Sequence, residues 1–112
     1  MSVLLLFEGN QLAVHRDGTI YRKDGNDYKL IKGLKDPNGY LQCRLRTNKL
    51  KWCECHSNFY EWSSNYMMDR IVYKAFNQNW NIDNTNDHID HIDGDRSNNN
   101  IYNLVISSGD RA

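Results

Sequence analysis

The segment Asp90-His91-Ile92-Asp93-Gly94-Asp95 places one imidazole and three carboxylates within six residues. A neutral imidazole accepts a proton near pH 7. Carboxylate oxygens are the ligands that hard divalent cations prefer. Together these groups suit hydrolysis of a phosphate ester, in which a water attacks phosphorus and the leaving oxygen gains charge that a metal ion stabilises. On this reading His91 is the general base. Asp90, its neighbour on the opposite face of a strand, is the ligand for Mg²⁺ or Mn²⁺, and Arg96 is within reach of a phosphate. Each residue also has a plainer role. Asp93-Gly94 is a turn signal wherever it occurs, Asn98 to Asn100 can be loop filler, and an isolated histidine is more often a surface or core residue than a base.

The elements that must hold this segment can be read from periodicity. Val3 to Phe7 has the composition of a short strand, and Leu12 to His15 and Thr19 to Arg22 flank Asp17-Gly18 as a hairpin. Asp24-Gly25-Asn26 and Asp36-Pro37-Asn38-Gly39 are further turns. Tyr40 to Arg46 alternates, with Leu41, Cys43 and Leu45 on one face of a strand. A turn is expected at Asn48 to Leu50, and one more strand over Lys51 to His56. The period then changes: Met68, Ile71, Val72, Ala75 and Phe76 recur at helical spacing, which predicts a helix over Met67 to Phe76 with Ser63 or Ser64 as its cap. A polar loop follows to Asp87.

The tail resembles the HNH nuclease family, and within it the phage and intron-encoded subgroup, where a core like Asp-His-x-Asp-Gly-x-x-x-Asn-Asn-x-x-x-Asn-Leu recurs. Asp90, His91, Asp93, Gly94, Asn98, Asn99, Asn103 and Leu104 match it in order. His88-Ile89-Asp90 partly duplicates His91-Ile92-Asp93, but only the His91 frame places Gly94, Asn99 and Asn103 correctly. Weaker similarity runs upstream through Gly18-Thr19-Ile20-Tyr21, Asn38-Gly39-Tyr40-Leu41 and Arg70 to Phe76, with residues from His56 to Asn65 as an extra insertion. The resemblance implies an α+β fold: a small antiparallel β-module over residues 1–66, then a linking helix and a C-terminal ββα-metal motif over residues 67–112, forming one unit. It further implies that Asn103 orients the His91 ring, that Asn99 braces the loop, and that Asp93 and Gly94 shape its turn. Two departures stand out. The family often has histidine before the arginine of the linking helix, where this chain has Asp69. The helical metal ligand, nine residues past Asn103, falls on Ala112, whose side chain cannot bind a metal. The expectation is therefore a last helix that starts at Ser107 or Ser108 and is cut short.

Composition narrows the alternatives. Thirteen aromatic residues in 112 supply enough apolar mass for a core, which argues against disorder. The formal charge is zero, yet it is unevenly spread. Nine Lys or Arg against three Asp lie between Arg22 and Lys51, and six Asp against two Arg follow Asn81. A basic half can hold phosphates while an acidic half holds a cation. The DNA-contacting candidates are Arg22, Lys23, Arg44, Arg46, Lys49, Lys51 and Arg96. Cys43, Cys53, Cys55 and His56 lack a C-x₂-C pair, so reduced cysteines are expected rather than structural zinc. No apolar run spans a bilayer and no signal peptide is visible, which predicts a cytoplasmic protein; the phage-type resemblance extends this to a phage- or virus-infected host. Its expected partner is double-stranded DNA. So short a chain has little surface for reading a long site, so high specificity would require a homodimer or an appended domain. The competing function is a catalytically incomplete HNH-derived module that binds DNA or protein.

Overall fold

A computed structural model of the chain describes residues 2–54, 57–84 and 86–108, with side chains described outside 48–53, 58–62 and 108. The architecture is α+β, with antiparallel strands throughout and one α-helix among the described residues.

Four strands form a meander: β1 (Ser2–Phe7), β2 (Asn10–His15), β3 (Ile20–Asp24) and β4 (Asp27–Leu30). Glu8 and Gly9 both take positive φ, at 49° and 80°, between the paired residues Phe7 and Asn10. Two positive-φ residues match the twist of the strands they join. The β2–β3 turn is closed by Thr19, whose backbone N–H and hydroxyl both donate to Asp17 Oδ1, at 2.9 and 2.7 Å.

The second sheet is β5 (Leu34–Lys35), β6 (Leu41–Cys53) and β7 (Asn58–Met67). Asp36 organises the β5–β6 turn by accepting from the backbone N–H groups of Asn38 and Tyr40. Here the sequence reading needs correcting. Asn48 to Leu50 is not a turn: β6 continues through it to Cys53, with a register shift between Arg46 and Leu50. Residues that read as an insertion, where described, form the partner strand β7. Pairing supplies backbone hydrogen bonds that the polar composition of 48–50 did not advertise.

Helix α1 (Met68–Phe76) buries Met68, Ile71, Val72 and Ala75, a stripe at i, i+3, i+4 and i+7. Ser63 and Ser64 lie in β7 and do not cap it. The chain passes straight from the strand through Met67, in extended conformation and with no side-chain cap. The stripe packs on Leu12, Val14 and Ile20 of the meander, Cys43 and Leu45 of β6, and Ile89 and Leu104 of the last sheet, forming one core. The loop after α1 is tied back by Arg70, which donates to the carbonyls of Ile82, Asn84 and Asp87 and lies 4.9 Å over the Trp80 ring. No helix among the described residues is long and apolar enough to cross a membrane.

Cys43 is a free thiol in this core, and burial pushes its pKa up to about 11. Only about one molecule in a few thousand is then thiolate at pH 7.5, and the thiolate is the reactive form. Cys43 is expected to resist maleimide in the native protein and to label fully in denaturant, read by peptide mass mapping. Equal labelling rates in both conditions would contradict its place in the core. Cys55 and His56 and the side chain of Cys53 lie outside the described residues, as does any zinc site they would form.

Candidate active site

The last sheet is a hairpin of β8 (Asp87–His91) and β9 (Leu104–Ser108), with His91 opposite Leu104 and Asp90 opposite Val105. Ser107 and Ser108 are thus strand residues, not a helix start. Alternation along β8 settles the facing of the motif. Ile89 is in the core, Asp90 is exposed, and His91 turns its side chain back inward, where it is 2% exposed.

The loop from β8 to β9 is held by its own side chains. Asn103, 9% exposed, accepts from the Asp93 backbone N–H at 3.0 Å and donates through Nδ2 to Asp93 Oδ1 and the Asn98 carbonyl, at 2.9 and 3.0 Å. Asn98 Nδ2 donates to Asp93 Oδ2 at 2.8 Å, and the Asp95 N–H to Asp93 Oδ1 at 2.8 Å. These donors, Asn98 first, hold the Asp93 carboxyl below the usual range. Asp95 is held low in the same way by the Ser97 hydroxyl and N–H. Gly94 makes the turn at φ 79° and donates to the His91 carbonyl at 2.9 Å. A single 3₁₀ turn, Ile101–Asn103, then leads into β9, its first N–H donating to the Arg16 carbonyl at 2.8 Å. The β2–β3 turn therefore abuts the Asn segment. A methyl group on Gly18 would meet the Asn99 backbone at 2.7 Å.

His91 Nε2 lies 3.1 Å from Asn99 Oδ1 and 3.8 Å from Asp69 Oδ2 of α1. The Tyr40 ring is 5.9 Å from the imidazole, centroid to centroid. Arg96 stacks 4.9 Å over Tyr40 and donates from Nη1 to the Asn38 carbonyl at 2.9 Å. Tyr40, Ile89, Asp90, His91, Gly94 and Arg96 border a cavity of about 270 Å³. Burial pushes the Asp69 carboxyl up. The His91 charge, the Arg70 N–H and the Arg70 guanidinium pull it the other way.

The structure thus gathers Asp90, His91, Gly94 and Arg96 around one cavity and sets Asn99 on the imidazole. Asn103, expected on the ring, instead locks the loop through Asp93 and Asn98. Asn99, expected to brace the loop, is the side chain that touches His91. The two asparagines share a residue type, and only three-dimensional placement separates them. Asp69 and Tyr40 had no assigned part in the site. The one sequence signal for Asp69 was its occupancy of a histidine position before Arg70.

Asp90 is the exposed carboxylate that borders this cavity, and so the candidate donor for a divalent ion. It makes no hydrogen bond or ion pair among the described residues, whereas the Asp93 and Asp95 oxygens accept from the loop. Among the described residues no cluster of three or more His, Cys, Asp or Glu forms a ready metal cage. One exposed carboxylate beside open water fits the way Mg²⁺ binds, through one or two carboxylates, several waters and substrate phosphate. Ala112 lies outside the described residues. Of the basic candidates, Arg22, Lys23 and Arg46 border a second, polar hollow of about 380 Å³ with Glu8 and Asp24. Arg44 and Arg46 are exposed on β6, and Arg96 is exposed in the loop. The side chains of Lys49 and Lys51 are outside the described set.

Comparison with known proteins gives one informative likeness. The chain is 29% identical over 101 residues, 90% of its length, to an uncharacterized HNH endonuclease of Acanthamoeba polyphaga mimivirus. It spans about a quarter of that protein, 26% of its length. No family model matches the chain. No solved structure matches it.

Proposed function

We propose that this chain is a metal-dependent HNH endonuclease that hydrolyses DNA phosphodiester bonds, by nicking or by double-strand cleavage, and that it is of the phage and intron-encoded kind. The observation that carries this reading is the arrangement at the end of β8. An exposed carboxylate, Asp90, and an imidazole held at Nε2, His91, border one cavity and sit at the core position of the HNH motif. The similarity to a viral HNH endonuclease supports it.

His91 accepts the proton of the attacking water at Nδ1, the ring nitrogen that Asn99 and Asp69 leave unengaged. Asn99 orients the ring, and Asn103, Asp93 and Gly94 keep the loop in shape. Asp90 would hold the divalent ion, whose charge would stabilise the phosphate and the leaving oxygen. Arg22, Lys23, Arg44, Arg46 and Arg96, with Lys49 and Lys51, neutralise the duplex backbone and set its register without reading its sequence. A second copy of the chain would extend the recognised site. On this reading the protein acts inside a cell or a phage- or virus-infected host, where its duplex substrate lies.

The second reading is an HNH-derived module that binds without cutting. Two observations favour it: the sparse donor set among the described residues, and an imidazole whose side chain is 2% exposed. Supercoiled plasmid separates the two. The nuclease reading expects nicked or linear product in Mg²⁺ or Mn²⁺ and none in EDTA. Retained duplex binding with no product in either metal would transfer the assignment to the binding module.

A further inference from the structure

We propose that Asp69 is a positioning residue for His91, fixing the imidazole in the tautomer that carries its proton on Nε2 and leaves the accepting lone pair on Nδ1. The proposal deepens the nuclease reading and rests on it for the use made of that lone pair.

Two side chains converge on Nε2, Asn99 Oδ1 at 3.1 Å and Asp69 Oδ2 at 3.8 Å. The first distance is a hydrogen bond and the second is a charge contact. The carboxamide cannot choose the tautomer by itself. It accepts through oxygen or donates through nitrogen, and rotating it by half a turn exchanges the two at almost no steric cost. Left to Asn99, the rotation would even be favoured. In the observed orientation its Nδ2 is buried with no hydrogen-bond partner, and orphaned N–H groups are rarer in proteins than orphaned carbonyl oxygens. Something must hold the oxygen toward the ring.

Asp69 does so. Burial raises the pKa of the Asp69 carboxyl and the neighbouring His91 and Arg70 charges oppose that; in its ionised form the group only accepts. Beside it, an Nε2 lone pair would face negative charge with little water to screen it, since the side chains of His91 and Asp69 are 2% and 5% exposed. The proton belongs on Nε2, and the Asn99 oxygen is then the group that can receive it. Asp69 is free for this task, because its other oxygen, Oδ1, is buried with no hydrogen-bond partner among the described residues. Its position is fixed by the helix, where Met68, Ile71 and Val72 on either side are in the core. The same histidine logic is widespread: the hydrogen bond at one ring nitrogen decides what the other can do.

The test is the ring ¹⁵N spectrum of His91 in the full chain, where two-bond ¹H–¹⁵N correlations distinguish the neutral tautomers. Wild type is expected in the Nε2–H form. The isosteric Asp69→Asn variant should populate the Nδ1–H form as well, and should lower kcat for nicking about ten- to a hundredfold with KM unchanged, as loss of an orienting partner does elsewhere. Asn99→Ala, which keeps the carboxylate, should retain the Nε2–H form, and it also serves if Asp69→Asn does not fold. A wild-type Nδ1–H ring, an unaltered tautomer in Asp69→Asn, or a lost Nε2–H form in Asn99→Ala would each overturn the proposal. Failure of the nuclease reading looks different: the spectra behave as expected while wild type cuts no plasmid.

Discussion

His91→Ala is expected to lower metal-dependent nicking by about 10²- to 10⁴-fold, the usual contribution of a positioned general base. Duplex affinity should stay near the wild-type value, because the ring is buried and the basic side chains proposed to meet phosphate, Arg96 on the same cavity included, are all retained. The effect follows from the division of labour at the end of β8. On the proposed roles, Asp90 and the loop would remain to hold an ion, but no group would be left to take the proton from water. Truncation also leaves Asp69 and Asn99 facing a space with no ring to fill it, so a lower melting temperature is expected. Assays therefore belong well below that midpoint, with folding confirmed by circular dichroism. Nicking by His91→Ala within threefold of wild type would remove His91 from the chemistry and leave Asp90 with water alone as the reactive pair.

Gly18→Ala is expected to harm both stability and activity, although Gly18 contributes no functional atom. Its φ is 95°, and its missing Cβ faces the backbone of Asn99, with the nearest atoms at 2.7 Å. The conformation alone costs an L-residue about 1–3 kcal/mol. Overpacking against a backbone that cannot rotate away adds about 1–3 kcal/mol. What gives way decides the phenotype. If the Asn99 segment moves, the hydrogen bond to His91 Nε2 is lengthened and nicking falls in the variant that still folds. The contrasting control is Gly25→Ala, where φ is 64° but no atom lies within 4 Å of the added methyl group. It should lose stability only through its backbone and keep its specific activity. Equal behaviour of the two variants in denaturant melts and in nicking would show that the approach of Gly18 to Asn99 has no consequence for the site.

Much of the scaffold was legible because it rests on local chemistry. Asp17-Gly18 and Asp36-Pro37-Asn38-Gly39 are turns for reasons contained in four residues, and the stripe Met68, Ile71, Val72, Ala75 is helical for reasons contained in two turns. The parts that were misread depend on a distant partner. The stretch Asn48 to Leu50 is polar enough to turn, and it is a strand because β7 lies beside it. Ser107 is a strand residue because His88 pairs with it. In the candidate site, motif spacing named the loop residues but could not decide which asparagine meets the imidazole. That choice is made by Gly18 and Arg16, which come against the Asn segment from the meander. The place of Asp69 was hidden for the same reason. A carboxylate in the first turn of a helix reads as a partner for the helix dipole, and nothing local tells that β8 will bring a histidine to it.

The contact between Arg16 and Ile101 has a bearing on when the site comes into being. His91 is steadied by Asn99, Asn99 by the β2–β3 turn, and Asp69 by a helix encoded between them, so the constellation draws on segments far apart along the chain. Contacts of that kind require closure of long loops, and they form late because the entropy of closure precedes any reward. During synthesis, the meander, the β6–β7 hairpin and the helix that carries Asp69 are made before His91 and Asn99, so the imidazole is the late arrival at its own site. On the nuclease reading, a chain assembled this way remains inert while nascent. Its reactive groups come into register only when the rest of the fold is already in place to hold them.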